Sequence, residues 1–208
     1  MDSMFTVYLV DDNPGVLKGL SRLLRAKGYD PRAFFSAQEF LEHHDPTVAG
    51  CAIFDIAMPG LDGLALQQVF KAAGNQRPII FLTGRGDIPK SVQAMKAGAI
   101  DFLTKPVNDV ALLDAIARAE HDDAEARQKH AELVAIEAKI ATLTPREREV
   151  LSHVVAGRLN KQIASELGTV EKTIKVHRGR MMEKLGVRTV ADLVRLAEKA
   201  GISSRINA

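Results

Sequence analysis

Three runs of this chain, Val7-Tyr-Leu-Val10, Ala52-Ile-Phe54 and Ile79-Ile-Phe-Leu82, are apolar at every consecutive position and not at every second one. A strand with one wet face alternates. A strand that is apolar throughout is buried on both faces, as the central strands of a helix-covered parallel sheet are. The full strand candidates are Phe5–Val10, Tyr29–Phe34, Ala52–Asp55, Ile79–Thr83 and Ala99–Leu103. Helix-patterned segments lie between them near 15–27, 37–44, 63–73 and 88–97, and a fifth starts near Asp109. This alternation predicts an α/β, doubly wound, five-stranded parallel sheet.

From Asp109 to Ala141 there is neither Pro nor Gly. Leu133, Ile136, Ile140 and Leu143 form a narrow apolar stripe suited to pairing with another helix. A spacer between domains and a dimerising segment are both compatible with it. Beyond, Thr144-Pro-Arg-Glu147 is a capping box with proline at the first helical position. Helices are expected near 145–156, 160–167, 171–185 and 190–200, separated by Gly157, Gly168 and Gly186. Their core is expected from positions 151, 154, 155, 163, 164, 167, 174, 181, 185, 193 and 196. The chain therefore divides into 1–120, a helical linker 121–141, and a separate all-α four-helix domain 142–208.

A single cysteine, Cys51, excludes an intrachain disulfide and reads as a core residue in a reducing compartment. No apolar stretch approaches the ~18–20 residues that span a bilayer. A cytoplasmic protein without a membrane partner is expected. Residues 1–125 hold 12 Lys+Arg against 17 Asp+Glu, and residues 126–208 hold 16 against 9. The second half is thus the basic one, which points toward nucleic acid.

Ligands of open α/β sheets collect at the carboxyl ends of the strands. Those ends carry Asp11 and Asp12, then Asp55, then Thr83-Gly84, then Lys105-Pro106. Asp11-Asp-Asn-Pro-Gly15 stands where a glycine-rich phosphate loop would be, so nucleotide binding is disfavoured. Clustered carboxylates repel, and Mg²⁺ (or Mn²⁺) would neutralise them with oxygen ligands. Beside such a cation Asp55 can act as a carboxylate nucleophile toward a phosphoryl group, with Lys105 and Thr83 contacting its oxygens.

On the acidic pair Asp11-Asp12, Asp55 with Met58-Pro59, Thr83, Phe102 and Lys105-Pro106, residues 5–120 resemble the receiver domain of bacterial two-component response regulators, a flavodoxin-like fold. The resemblance implies that Asp55 accepts a phosphoryl group from a sensor histidine kinase. It implies Mg²⁺ on Asp12, Asp55 and the Ala57 carbonyl, with Asp11 acting through water, and a cis Lys105–Pro106 bond. It makes Thr83 and Phe102 a switch pair and the fourth helix, last strand and fifth helix (87–119) the readout face. Gly84-Arg-Gly-Asp-Ile-Pro89 and the stretch 94–102 are similar to the FixJ subgroup, in which phosphorylation promotes dimerisation. Aspartate-based phosphohydrolases carry a second acid two residues on. Here that residue is Ala57, so only slow self-phosphorylation and self-dephosphorylation are expected, not an enzyme.

In the basic half, Leu159–Leu167, Gly168 and Glu171–Leu185 read as helix, turn, helix, whose second helix enters the major groove. Ile174, His177, Met181 and Leu185 share the face to be buried, with His177 a hydrogen-bonded structural residue. Lys172, Val176, Gly179 and Glu183 lie opposite, flanked by Thr173, Lys175 and Arg180. Through Leu143–Leu151, Asn160–Ala164, Thr173–His177 and Lys184-Leu185, residues 142–200 resemble the LuxR-type helix-turn-helix domain. That resemblance implies base contacts from Lys175 and Val176, with Lys172, Thr173 and Arg178 near them, and phosphate contacts from Asn160 and Lys161. Where the family shows an apolar residue and then Ser or Thr, this chain has Thr169-Val170. The recognition helix therefore lacks a side-chain N-cap or starts elsewhere. The whole reads as a phosphorylation-dependent transcriptional regulator that dimerises on promoter DNA and engages RNA polymerase. The alternative is a phosphorylatable protein whose helical module binds protein or RNA.

Overall fold

The computed structural model describes residues 4–84 and 88–202, apart from the side chains of Ile88 and Lys90. The expected contributions of Arg85-Gly-Asp87 to the readout face, and the last six residues of the C-terminal domain, lie outside the described residues. Two compact units are present, residues 1–127 and 128–208.

The first unit holds β1 (Thr6–Val10), α1 (Pro14–Ala26), β2 (Asp30–Phe34), α2 (Ala37–His43), β3 (Gly50–Asp55), α3 (Gly63–Ala72), β4 (Ile79–Thr83), α4 (Ile88–Lys96), β5 (Asp101–Thr104) and the start of α5 (Asp109–Ala141). The sheet runs β2-β1-β3-β4-β5 and every pairing is parallel. All residues of β1, β3 and β4 are buried, as their uninterrupted apolar runs require. Alternate side chains feed two cores. Tyr8, Val10, Phe54 and Phe81 join an aromatic cluster with Phe34, Phe40 and Phe70, in which Phe40 lies 5.2 Å from both Phe54 and Phe70. Val7, Leu9, Ile53, Ile80 and Leu82 pack with Leu17 and Leu24 of α1 and Leu112 and Ile116 of α5. The last strand begins at Asp101 and not at Ala99, because Ala99 N–H still closes the end of α4 on the Ala94 carbonyl at 3.1 Å.

At the amino end of the sheet, residues of the expected linker belong to this unit. Asp123 of α5 accepts from the buried Gly50 N–H at 3.2 Å and from Arg127 Nε at 2.8 Å. Arg127 also donates to the Thr47 carbonyl at 2.7 Å and to that of Val48. Buried Arg77 donates to the Asp45 and Val48 carbonyls at 2.7 and 3.1 Å, its guanidinium 4.4 Å from the Tyr8 ring centroid.

The second unit contains the rest of α5, then α6 (Pro145–Val155), α7 (Asn160–Glu166), α8 (Glu171–Leu185) and α9 (Val190–Lys199). Its core includes Leu143, Val150, Leu151, Val154, Ile163, Ile174, Met181, Leu185 and Leu193. The end of the linker's apolar stripe is covered within this unit: Leu143 is in its core and Ile140 packs against it, while Ile136 is buried and Leu133 half-buried. Glu132 pairs with Lys199 of α9 at 2.5 Å. Among the described residues no helix is long and apolar enough to cross a membrane.

Candidate functional site

The strand order takes the chain from β1 to one side and then to the other, opening a crevice beyond the carboxyl ends of β1 and β3. Asp11 and Asp55 are buried there, 3% and 4% exposed, and Asp12 stands exposed at the rim. Asp11 Oδ1 accepts from the Asn13 N–H at 2.9 Å. Asn13 in turn caps α1, accepting from Gly15 N–H at 2.9 Å, with Pro14 in the first turn. Opposite, Asp62 caps α3 by accepting from Ala65 N–H at 2.8 Å. The next residue must be glycine: a Cβ on Gly63 would lie 2.3 Å from the Asp55 carbonyl oxygen. The absent side chain lets α3 start directly against the tip of β3.

Lys105 reaches in from the end of β5, its peptide bond to Pro106 cis, as expected. Its backbone N–H donates to the Thr83 carbonyl at 2.7 Å. Its Nζ lies 2.5 Å from Asp11 Oδ2 and 2.8 Å from Asp55 Oδ1. Burial is the largest influence on this ammonium and disfavours its charge. The hydrogen bonds and charges of Asp11 and Asp55 together outweigh it and raise the Lys105 pKa above its ordinary value. Thr83, the last residue of β4, is buried, and Phe102 is half-buried with its ring 6.4 Å from that of Phe81. Ala57 is exposed. Asp11, Asp12 and Asp55 each offer a carboxylate oxygen within 4.8 Å of the others. Three hard oxygen donors, one at the solvent rim, suit Mg²⁺ or Mn²⁺, which keep several waters.

The second unit presents a different surface. Lys172, Lys175, Val176, Gly179, Arg180 and Glu183 of α8 are exposed, Thr173 is half-buried, and Ile174, Met181 and Leu185 face the core. The helix starts at Glu171 after Val170, which supplies no side-chain cap. His177, expected buried and hydrogen-bonded, is half-buried and makes no hydrogen bond among the described residues, because it stands at the margin between core-facing Ile174 and Met181 and exposed Val176 and Arg180. Lys161 is exposed. Arg178 is half-buried and donates from Nη1 to Asn160 Oδ1 at 2.9 Å. Two features of the sites escaped the sequence reading. The Lys175 ammonium pairs with Glu171 at 3.2 Å, which the i,i+4 spacing of acid and base could have signalled. The tethering of Asp11 through Asn13 could have been signalled by Asn-Pro-Gly, the pattern of a helix start.

Residues 7–117 match the family "Response regulator receiver domain", and residues 141–197 match "Bacterial regulatory proteins, luxR family". Nodulation protein W of Bradyrhizobium diazoefficiens is 42% identical over 198 residues, covering 95% of this chain and 87% of that protein. The solved response regulator StyR is 47% identical with a TM-score of 0.82, covering 95% of this chain and all of StyR. Full-length FixJ from B. japonicum is 39% identical with a TM-score of 0.58, covering 96% of this chain and 99% of FixJ. The luxR match sets aside a protein- or RNA-binding role for the helical module. The chain belongs to the response regulators of the FixJ/NarL type, phosphorylation-activated transcriptional regulators in which a receiver domain is joined to a LuxR-type DNA-binding domain.

Proposed function

We propose that Asp55 is the phosphoryl acceptor of this regulator and that a sensor histidine kinase supplies the group. One observation carries the choice. Both oxygens of Asp11 are engaged, by Asn13 N–H and by Lys105, whereas Asp55 gives only Oδ1 to Lys105. Its Oδ2 accepts no hydrogen bond among the described residues and, of the two buried carboxylates in the crevice, Asp55 is the one with an oxygen left to attack phosphorus. The new O–P bond forms as the P–N bond of the phosphohistidine breaks, and the imidazole leaves. Lys105 and Thr83 then hold the phosphoryl oxygens. Asp12, Asp55 and the Ala57 carbonyl would hold Mg²⁺, with Asp11 acting through water. When bound, that ion screens the approaching negative charge.

Ala57 offers no acid to protonate a leaving group, so the acyl phosphate decays slowly and the protein is a switch, not a turnover enzyme. As Thr83 moves toward the phosphoryl group, Phe102 turns inward from its half-buried place. The face of α4, β5 and the first turns of α5 then pairs with a second copy. Exposed Val92 and Met95 on α4 support this. The dimer sets two copies of α8 on promoter half-sites, with RNA polymerase as the final partner, in the cytoplasm. Lys175 and Val176 contact bases, Lys172 and Thr173 lie beside them, and Lys161 contacts a phosphate. The working division remains receiver 1–120, linker 121–141 and DNA-binding module 142–208.

The test is incubation with acetyl phosphate and Mg²⁺, read by mass spectrometry and light scattering. The unaltered protein should gain one phosphoryl group and dimerise, and Asp55→Asn should do neither. A variant that still took up the group or still dimerised would refute the assignment.

A further inference from the structure

Arg178 lies on the recognition helix, yet it does not share the exposed face of Lys172, Lys175 and Val176. It is half-buried at the edge of α8, and its Nη1 donates to Asn160 Oδ1 at 2.9 Å. A guanidinium has donors and no acceptor, so only the oxygen end of the Asn160 amide can face it. The planar amide is thereby fixed in one of its two orientations. Its Nδ2, with two N–H donors, is the opposite end, and no described residue accepts from it. Asn160 opens α7 and is only half-buried, and its Nδ2 is not among the buried side-chain atoms left without a partner, so this donor end reaches solvent. The charged partner also polarises the amide and strengthens its remaining donors.

We propose that Arg178 is a positioning residue for DNA binding: it orients the Asn160 amide so that Nδ2 donates to a backbone phosphate, and it does not itself read a base. The inference rests on the DNA-binding role of this module. Phosphate contacts fix register and carry no sequence information, whereas base contacts do. The two roles of Arg178 therefore predict different phenotypes. A base reader, once removed, relaxes preference at one position. A residue acting through Asn160 loses affinity evenly across sequences, and its effect vanishes when Asn160 is already gone.

The experiment uses the full-length protein with Arg178→Ala, Asn160→Ala, the double variant and Arg178→Lys. Each is measured by binding to random duplex DNA and by DNA selection, with thermal melting as the check on folding. Losing one hydrogen bond to a charged group should weaken each single variant about tenfold on every duplex. The double variant should match the singles, the selected sequence should be unchanged, and Arg178→Lys, which keeps a donor for Oδ1, should recover most of the affinity. An altered base preference in Arg178→Ala, multiplied losses in the double variant, or full affinity in Asn160→Ala would each overturn the proposal. If Arg178→Ala does not fold, Arg178→Lys and Asn160→Ala decide it: near-normal affinity in the first with loss in the second supports it, and any other pair of results refutes it. Absence of salt-dependent duplex binding by the unaltered protein would sink the DNA-binding role as well, and the variant pattern alone would sink only this inference.

Discussion

Replacing Lys105 by methionine keeps the side chain's length and removes the one ammonium between Asp11 and Asp55. Their carboxylate oxygens lie within 4.8 Å of each other, so the remaining charges repel by about 3 kcal/mol at an effective dielectric near 20. Stripping one partner from a buried ion pair costs roughly 3–5 kcal/mol. The Lys105 side chain keeps 20% of its exposure, so some water reaches the gap and the lower end applies. For a unit of this size ~3 kcal/mol lowers the melting temperature by roughly 10 °C. Melting followed by circular dichroism in EDTA should show that drop in the first unit. Adding Mg²⁺ should raise the variant's midpoint more than that of the unaltered protein, because the ion takes over the ammonium's task. The alkaline limb supplies a second check. The Lys105 pKa is raised above its ordinary 10.5, so its contribution is fully present below that value and is lost as pH climbs through the folded one. The difference between the two proteins should hold at neutral pH and close in strong alkali. A midpoint within about 2 °C of the unaltered protein in EDTA, or equal Mg²⁺ shifts in both, would refute the reasoning.

Asp123→Ala leaves the buried Gly50 N–H without an acceptor and frees Arg127, so the first unit should lose about 2–4 kcal/mol in urea titration; an unchanged midpoint would mean that water replaces the carboxylate. Gly179→Ala meets nothing within 4 Å and should stabilise the helical module by about 1 kcal/mol, provided DNA is absent from the melt; a loss of stability would show that the glycine serves the fold. Glu147 is 2% exposed, and the Lys184 hydrogen bond, followed by that from the Thr144 backbone, holds its pKa below the ordinary 4.5. Its contribution is present above that value and lost as pH falls through the folded one, so Glu147→Gln should flatten the acid limb of the module's stability profile; an unchanged slope would remove Glu147 from that role.

The sheet was legible because Val7–Val10, Ala52–Phe54 and Ile79–Leu82 run apolar without a break, and the acids that follow the first two landed in one crevice. The helix from Asp109 to Ala141 was legible in its lack of Pro and Gly, but its role was not. Periodicity reports which side of a helix is apolar and says nothing of what covers it, so Ile136 and Ile140 could not be assigned to the DNA-binding unit. Asp123 and Arg127 looked like ordinary solvated charges, since their partners at Gly50, Thr47 and Val48 are more than 70 positions away in the chain. Arg178 looked like one more cation on a basic helix. Only the distance to Asn160 turned it inward.

The covered stripe on α5 bears on how such regulators can exchange output modules. A graft that began at residue 142 would deliver four helices stripped of Ile140, leaving part of the transplant's underside greasy and wet. The heritable cassette is longer than its helix-turn-helix and carries its own stretch of stalk, so viable recombination points should fall upstream of Glu132, where the Lys199 tether travels with it.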